Sequence, residues 1–562
     1  MSTLLSRSTL AARGILQYTL FMTLEMQGTV TSEWIRANLI GRDASITTPF
    51  GERRVTYADY VASGRALEHV ERVLQERVLP LYANTHTEDS RSGAQTTHLA
   101  HEAGEYIKAQ LGASEFKIAF CGSGSTAAIK RLQEILGLSV PSNLRSRVLE
   151  TMTLLERPVV FVGPYEHHSN EVSWRESLAE VVEIGLCEKG LIDLDALRDA
   201  LKDSRFAGRP KIGSFSAASN VTGIISDTRS IARLLHAHGA YAFFDFAASA
   251  PYVKIDLRPN KPDGYDAVFI SPHKFVGGIG SPGVLVFNPA LYNLSAPSTA
   301  GGGTVTFVSS HGHDFTTDIE AREDAGTPAI LQKMRAALAF WVKAQIGTDA
   351  IERFEREMIK TALERLGKHS KLEILGNTSV KRLAVVSFMV RSAERYLHPR
   401  FVVKLLNDLF GIQSRGGCAC AGPYGHALLH LSEQTSNAHR NAINSGVESV
   451  KPGWTRLNFN YFIAPDEFEF MLAAIEFIAD YGEQFVALYD LDWQSGAWNH
   501  KDERLELPSL FDPLLPVKPV NLEPVQFAEY LRSAHEIRAG LEVVPEREIP
   551  LGVPKDLVFF RH

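Results

Sequence analysis

The chain has 562 residues, 45% of them hydrophobic, so it can bury a large core and is expected to form more than one domain. Its 58 basic and 65 acidic residues give a net charge of −7 with no long charged block, which argues against nucleic acid or an anionic membrane as the main partner. No apolar run approaches the roughly 20 residues that a membrane span requires.

The cysteines give a further indication of the compartment. Cys121, Cys187, Cys418 and Cys420 are too few and too scattered for a disulfide framework, so we predict a reducing compartment and a cytoplasmic protein. Cys418 and Cys420 lack a second pair of ligands at metal spacing, so no metal site is predicted.

The N-terminal segment has an unusual composition. Residues 1–27 carry Arg7, Arg13 and several hydroxyl side chains, with no acidic residue before Glu25, as in a weak organelle-targeting leader. We favour a disordered tail or a misplaced start codon, and an organelle is the alternative to the cytoplasm if this segment is a leader. Residues 1–30 are therefore a possible leader or tail, and residues 31–94 are predicted to complete a small domain.

From residue 95 to 330, short apolar strands alternate with helical patterns, which predicts a mostly parallel, doubly wound sheet. The first strand-like segment runs into Gly124-Ser125-Thr126 and a helical pattern. Glycines and hydroxyls at a helix N-terminus present free N–H groups and the positive end of the helix dipole, which suits a phosphate. An ordinary loop is the alternative interpretation.

Polar residues also follow the next strand-like segments, where ligands of parallel sheets bind. His167 could stack on a pyridine ring, and Asn220 could donate to a phenolic oxygen. Asp245 could keep a pyridine nitrogen protonated, which makes such a ring an electron sink. The alternative for Asp245 is a helix N-cap.

The segment Ser271-Pro-His273-Lys274 follows the apolar run 267–270. A lysine at the mouth of a buried strand suits an amine that forms a Schiff base, because desolvation and neighbouring cations lower its pKa. Ser271 and His273 could bind the phosphate of a cofactor. A surface lysine after a core strand is the alternative, but five such motifs in this order are hard to explain by coincidence.

With these motifs the chain resembles the class V aminotransferase group of fold-type I pyridoxal-phosphate enzymes, and within it the cysteine desulfurases and selenocysteine lyases most. The resemblance extends over roughly residues 55 to 485. It implies an α/β fold with a mostly parallel, doubly wound, seven-stranded sheet in a large domain at 95–330. A smaller α+β domain at 331–485 and a C-terminal extension at 486–562 are expected to follow.

The resemblance also implies the cofactor site. Lys274 holds pyridoxal phosphate, His167 stacks on its ring and assists proton transfer, and Asp245 keeps the pyridine protonated. The residues implied to bind the cofactor are Gly124, Ser125, Thr126, His167, Asn220, Asp245, Ser271, His273, Lys274 and Thr327. Thr327 is expected to reach the phosphate in a neighbouring subunit, which implies a homodimer.

On the substrate side, Cys420 follows Arg415 by five residues, as the persulfide cysteine of the resembling enzymes does. Arg456 matches the arginine that binds the substrate α-carboxylate, and His86 matches a histidine near the substrate. Alternatives stay open for two of them. Cys420 could be a small core residue, with Cys418 as the reactive thiol, and Arg456 could form a structural salt bridge.

These residues predict a cysteine desulfurase, which converts L-cysteine to L-alanine and leaves a persulfide on Cys420 for a possible sulfur-acceptor protein. The chain departs from the desulfurase pattern at Thr87, where an arginine is usual, at Ala248, where a glutamine is usual, and in a long insert before Arg456. A C–S lyase, or a class V aminotransferase or epimerase, is therefore the alternative. A non-enzymatic scaffold would need none of the motif residues. The proline-rich tail is predicted to lie along the surface of the main body or of a partner subunit.

Overall fold

The computed structural model of the chain describes residues 30–85, 87–418, 420–503, 509–512 and 527–562. The possible leader at 1–27 and the predicted substrate residue His86 lie outside the described residues. None of the described helices is long and apolar enough to cross a membrane.

The strands are β1 Ser45–Thr48, β2 Gly51–Arg54, β3 Thr56–Tyr57, β4 Lys117–Cys121, β5 Val159–Val162, β6 Glu180–Glu183, β7 Lys211–Ser216, β8 Tyr241–Asp245, β9 Ala267–Ile270, β10 Gly283–Phe287, β11 Val305–Ser309, β12 Gly312–Phe315, β13 Leu372–Ile374, β14 Val385–Ser392, β15 Arg395–Leu397, β16 Ile412–Gln413, β17 Arg415–Gly417, β18 Trp454–Asn458, β19 Tyr489–Leu491, β20 Trp498–His500 and β21 Phe560–Arg561. The α-helices are α1 Ser32–Asn38, α2 Glu68–Val73, α3 Arg91–Gln110, α4 Gly124–Ile135, α5 Ser142–Thr151, α6 His168–Arg175, α7 Leu194–Lys202, α8 Thr228–Ala237, α9 Ile319–Arg322, α10 Ile330–Ile346, α11 Thr348–Leu366, α12 Pro399–Phe410, α13 Gly422–Leu428, α14 Glu433–Asn444, α15 Pro465–Tyr481 and α16 Phe527–Ala539.

The central sheet has seven strands in the order β4-β10-β9-β8-β7-β5-β6. Strands β6, β5, β7, β8 and β9 are parallel to their neighbours in this run, whereas β10 is antiparallel to both β4 and β9. The predicted mostly parallel, doubly wound seven-stranded sheet is thereby confirmed. Its parallel strands bring their carboxyl ends to one edge, where ligands of such sheets bind.

Alternating side chains of the central strands supply two apolar clusters. Val159 and Phe161 of β5 belong to one cluster, and Val160 and Val162 to the other. Because successive side chains of a strand point to opposite faces, the two clusters lie on the two faces of the sheet. A strand buried on both faces reads as a continuous apolar run, which is how β5 appears in the sequence.

A second sheet of six strands has the order β17-β18-β14-β15-β21, with β13 also paired to β14. Its apolar cluster includes side chains from both ends of the described chain, from Val30 and Ile35 to Phe560. The N-terminal segment and the C-terminal extension therefore pack on the same core as α11, α12 and α15. The domain boundaries given by the sequence stay predictions.

The C-terminal extension is more deeply buried than its composition suggests. Trp498, Phe527 and Phe560 belong to the apolar cluster of the six-stranded sheet, and β21 pairs in parallel with β15. The expectation that the proline-rich stretch lies along a surface falls mostly outside the described residues, whereas the segments on either side of it pack into this core. The proline-rich composition concerns residues 508–524, whereas burial of the aromatic side chains depends on contacts with residues far away in sequence.

Replacing Phe560 by alanine is expected to lower the free energy of unfolding by about 3–5 kcal/mol, because a fully buried aromatic ring leaves a cavity. Denaturant unfolding followed by circular dichroism measures the change. Leu551→Ala is the matched control, since Leu551 is a fully exposed side chain in the same extension. Equal stability of the two variants would contradict a structural role for the extension.

Candidate active site

A cavity of about 250 Å³ lies where β5, β7, β8 and β9 end. Four neighbouring parallel strands thus deliver polar residues to one place, as expected from the topology of such sheets. Eleven predicted residues line it: Gly124, Ser125, Thr126, His167, Asn220, Asp245, Ser271, His273, Lys274, Cys420 and Arg456. Ala248, one of the departures from the desulfurase pattern, lines it too.

One wall of the cavity is the N-terminus of α4. Gly124 has a φ of +54°, and a Cβ atom there would lie 2.9 Å from Cε1 of His273 and 3.0 Å from Oγ of Ser271. Ser125 donates its backbone N–H to Oγ of Ser271 at 2.9 Å, and the two hydroxyls are 3.0 Å apart. Since the first turn of a helix has N–H groups without helical partners, this wall offers several donors to an anion.

Lys274 lies in a short 3-10 turn directly after β9. Burial lowers the pKa of its amine to about 8, although the nearby Asp245 carboxylate opposes this shift. A larger share of the amine is therefore neutral near neutral pH than for an exposed lysine, and the neutral amine is the nucleophilic form.

Asp245 is the last residue of β8 and is buried. Burial raises the pKa of its carboxyl, and the Ala247 N–H, which donates to Oδ1 at 2.9 Å, lowers it again. The Lys274 amine and a hydrogen bond from Ser125 act in the same direction as this N–H. The carboxylate thus has partners that stabilise its charge at a largely buried position in the cavity wall.

His167 caps the N-terminus of α6. Its Nδ1 accepts the backbone N–H of Ser169 at 3.1 Å, so Nε2 is the ring atom available for proton exchange. Burial lowers the pKa of the imidazole to about 4, and the positive charge of Lys274 adds to the effect. The ring is therefore neutral at physiological pH.

Glu166, the residue before His167, is a buried carboxyl that the sequence did not reveal as a site residue. It accepts from Ser216 at N and Oγ, at 2.9 and 2.6 Å, and from Asn170 at 2.7 Å. Burial raises its pKa to about 7. These bonds connect the end of β7 to the start of α6 and so fix the turn that carries His167.

The loop of Cys420 is attached to the same turn. His168 donates its backbone N–H to the Cys420 carbonyl at 3.0 Å, and its Nε2 accepts the N–H of Gly422, also at 3.0 Å. Cys420 is exposed, lines the cavity and has a φ of +57°. Cys418 instead packs against an apolar cluster of the central sheet. The geometry thus favours Cys420 as the thiol that reaches the cavity.

Arg456 forms the salt bridge that was one of its two interpretations, and its binding of a substrate carboxylate stays a prediction. It lines the cavity, and its Nη2 donates to Oδ1 of Asp59 at 2.8 Å in a buried salt bridge. Arg415 also lines the cavity, and its Nε donates to Oδ2 of the same Asp59 at 2.9 Å. Sequence reasoning missed Asp59, because no local pattern marks an aspartate near the N-terminus as a partner of two distant arginines.

Thr327 is not brought to this cavity. It lies at the surface, with Oγ1 3.4 Å from Nδ2 of Asn84. Its expected role at the site of a neighbouring subunit stays a prediction. Across the described residues, no group of three or more His, Cys, Asp or Glu side chains is arranged to hold a metal ion.

A family model for class V aminotransferases matches residues 56–435, more than half of the chain. The chain belongs to the class V aminotransferase family. The matched range contains the cavity residues from Gly124 to Cys420, whereas Arg456 lies beyond it. The chain is 28% identical over 375 residues to a probable cysteine desulfurase of Staphylococcus aureus, across 66% of this chain and 84% of the relative. A probable cysteine desulfurase of Halalkalibacterium halodurans is also 28% identical, over 373 residues and the same shares of the two chains.

Solved structures of other proteins resemble this chain in fold. A cysteine desulfurase from Thermococcus onnurineus matches with a TM-score of 0.63 and 22% identity, covering 81% of this chain and 99% of the other. The cysteine desulfurase CsdA from Escherichia coli matches with a TM-score of 0.60 and 22% identity, covering 79% and 98%. The expected fold of fold-type I enzymes is thereby confirmed.

Proposed function

We propose that this chain is a pyridoxal-phosphate-dependent cysteine desulfurase. The observation that carries the proposal is one cavity lined by a buried amine, Lys274, an exposed thiol, Cys420, and a buried guanidinium, Arg456. An amine to anchor the cofactor, a thiol to take sulfur and a cation to hold a carboxylate are what desulfuration of an amino acid requires. The names of the curated relatives support the same activity.

The chemistry of the cavity fits pyridoxal phosphate. Gly124, Ser125 and Thr126 begin a helix at the wall where a phosphate would receive N–H and hydroxyl donors, and Ser271 and His273 adjoin them. Asp245 offers a buried carboxylate for the pyridine nitrogen, and Asn220 lies on the same cavity for the phenolic oxygen. When bound, pyridoxal phosphate supplies an electron-withdrawing ring that stabilises negative charge at the substrate α-carbon.

Gly124→Ala is expected to weaken the binding of pyridoxal phosphate by at least about tenfold, because the added Cβ would fill the space beside Ser271 and His273. Titration of the cofactor-free protein with the cofactor, followed by absorbance, gives the affinity. Gly137→Ala is the matched control, since Gly137 also has a positive φ but nothing within 4 Å of a Cβ. Both variants carry the strain of a left-handed alanine, so equal losses of affinity would contradict a phosphate cradle at Gly124.

The side chains of the cavity divide the remaining work. Lys274 would hold the cofactor through its amine, and Nζ of the same residue would move the substrate α-proton. Asp245 would keep a proton on the pyridine nitrogen. His167 would cover the ring as a neutral imidazole, and its Nε2 could exchange a proton with the substrate. Arg456 binds and orients the substrate carboxylate.

The sulfur transfer takes place at Cys420. Its thiolate attacks the substrate sulfur, so that an S–S bond forms while the bond between the substrate's β-carbon and its sulfur breaks. The electron pair of the broken bond stays with the carbon, which then takes a proton and becomes the methyl group of L-alanine. The sulfur remains on Cys420 as a persulfide, and an exposed residue can pass it on to an acceptor protein.

Product analysis tests the proposed function. The cofactor-loaded enzyme is incubated with L-cysteine and a reductant, and alanine, sulfide, pyruvate and ammonia are measured. Alanine and sulfide in equal amounts are the expected result. Pyruvate and ammonia instead would identify a C–S lyase, which the alanine at position 248 leaves as the second candidate. A keto acid formed with another amino donor would indicate an aminotransferase.

Two partners belong to the proposal. A homodimer is proposed because Thr327, which the resemblance assigns to a neighbouring subunit's phosphate, lies at the surface away from the cavity of its own chain. A sulfur-acceptor protein is proposed because Cys420 is exposed, so a persulfide there can be reached from outside. A cytoplasmic location remains the prediction from the cysteine content.

A further inference from the structure

Asp59 is a buried carboxylate that connects two arginines of the cavity. Its Oδ1 accepts Nη2 of Arg456 at 2.8 Å, and its Oδ2 accepts Nε of Arg415 at 2.9 Å. The three residues are distant in the sequence, so the contact depends on the tertiary fold. Asp59 lies just after β3, which is paired in parallel with β16. This pairing holds the N-terminal segment next to the two strands that carry the arginines.

The two arginines stand side by side. Arg415 in β17 and Arg456 in β18 are direct partners in the antiparallel register of these strands. Like charges directly opposite each other in a sheet repel, and Arg456 is only 4% exposed, so little water screens its charge. Arg415 has a half-exposed side chain that could otherwise turn towards solvent. Asp59 offsets the repulsion and holds both guanidiniums at the cavity.

The contacts leave N–H groups for a ligand. Arg456 uses Nη1 for the Asn220 carbonyl and Nη2 for Asp59, and each of these nitrogens has a second N–H. Arg415 uses Nε for Asp59, so its Nη atoms can donate to a substrate. Two arginines and one aspartate have a net charge of +1, which a single carboxylate neutralises.

We infer that Asp59 is a positioning residue that aligns Arg415 and Arg456 into one receptor for the substrate α-carboxylate. The receptor makes the site select α-amino acids over amines that lack a carboxylate. This inference rests on the proposed function in one respect, namely that the substrate is an amino acid.

Charge and geometry predict opposite effects of removing Asp59, which makes the test decisive. Loss of a negative charge beside two arginines would by itself strengthen the binding of an anion. Loss of alignment would weaken it, since a hydrogen bond between charged groups is worth about a 10- to 100-fold change in affinity. A weaker affinity for a carboxylate after Asp59→Asn, with no change for a ligand that lacks the carboxylate, therefore indicates lost positioning and not the lost charge.

The experiment uses the cofactor-loaded enzyme and four variants: Asp59→Asn, Asp59→Glu, Arg415→Ala and the double variant Asp59→Asn/Arg415→Ala. We measure KM and kcat for L-cysteine, and by absorbance the dissociation constants of L-alanine and ethylamine, which differ by a carboxylate. Asp59→Asn is expected to raise KM and the L-alanine constant about tenfold, with kcat within about twofold and ethylamine unchanged. Asp59→Glu, which keeps the charge, is expected to recover part of the loss.

The double variant shows whether the effects of Asp59 and Arg415 on ligand affinity are coupled, which distinguishes positioning of the arginine from general damage to the fold. Because Asp59 holds Arg456 as well as Arg415, the double variant is expected to bind L-alanine more weakly than Arg415→Ala alone, but by less than the two single losses combined, because coupled residues are not additive. The matched control is Asp263→Asn, which removes another buried aspartate placed between two arginines, Arg258 and Arg233, away from the cavity. It is expected to leave the affinity for L-alanine unchanged.

Two outcomes would overturn the inference. An unchanged or tighter affinity of Asp59→Asn for L-alanine would mean that alignment by Asp59 is not needed. An equal loss of affinity for L-alanine and for ethylamine in Asp59→Asn would mean that Asp59 only maintains the fold. The ratio of the affinities for L-alanine and ethylamine does not depend on which product the enzyme forms from L-cysteine. Formation of pyruvate in place of alanine would therefore contradict the desulfurase proposal without affecting this test.

Discussion

Cys420→Ala is expected to lose alanine formation from L-cysteine by at least about 100-fold, because the thiolate that accepts the sulfur is absent. Wild-type enzyme briefly treated with L-cysteine should gain the mass of one sulfur atom on the peptide containing Cys420, and the variant should not. Cys420 is exposed, so its replacement is not expected to disturb the cofactor absorbance or the secondary structure.

Cys418→Ala is the matched control for this prediction. It removes the neighbouring thiol, which packs against an apolar cluster of the central sheet, and should retain most of the alanine formation. The opposite pattern, with activity lost in Cys418→Ala and kept in Cys420→Ala, would identify Cys418 as the cysteine that carries the persulfide. If both variants turn over L-cysteine as fast as the wild type and form pyruvate, the reaction does not use an enzyme persulfide.

Lys274→Ala is expected to lower kcat by about 100- to 10,000-fold from the lost proton transfer alone. The wild-type enzyme should also retain the cofactor covalently on the Lys274 peptide after reduction with borohydride, and the variant should release it on denaturation. Lys130→Ala is a suitable control, because Lys130 lies exposed on α4, the helix that begins at the proposed phosphate wall.

Lys343 is the alternative to Lys274 as the lysine that binds the cofactor. Like Lys274, it is buried, and burial lowers the pKa of its amine, here to about 7. Its Nζ, however, donates to the carbonyls of Ala250 and Val253 at 2.6 and 2.5 Å, and the residue is not part of the cavity wall. Cofactor found covalently on Lys343 after borohydride treatment would show that the site had been assigned to the wrong amine.

The part of the site that the sequence predicted has a local signature. Ser271, His273 and Lys274 directly follow an apolar strand, and Asp245 ends another. A strand followed by a polar turn can be recognised within ten residues, and the topology rule for parallel sheets then brings such turns together. Because both steps use short-range information and one general rule, the meeting of these turns at one cavity could be predicted before the structure.

Asp59 and Glu166 lack such a signature. Asp59 binds Arg415 and Arg456, which are separated from it by 356 and 397 residues in the sequence. The sequence around Asp59 contains no pattern that identifies these two arginines as its partners. Glu166 was visible in the motif with His167, but its role depends on Ser216, 50 residues later. The role of a residue that orients other side chains depends on contacts between residues distant in the sequence, so a single sequence does not reveal that role.

The pairing of β21 with β15 has a consequence for protein synthesis. Phe560 and Arg561 come far after β10, the last strand of the central sheet in the sequence, so the six-stranded sheet that contains β17 and β18 is completed much later in synthesis than the central sheet. The strands of the central sheet emerge from the ribosome much earlier and can fold first, since domains fold as units during synthesis. A nascent chain can thus form the central sheet, with the wall proposed to receive the phosphate, before the sheet that carries Arg415 and Arg456 is complete. If the proposed roles hold, the growing chain acquires its cofactor site before its substrate site.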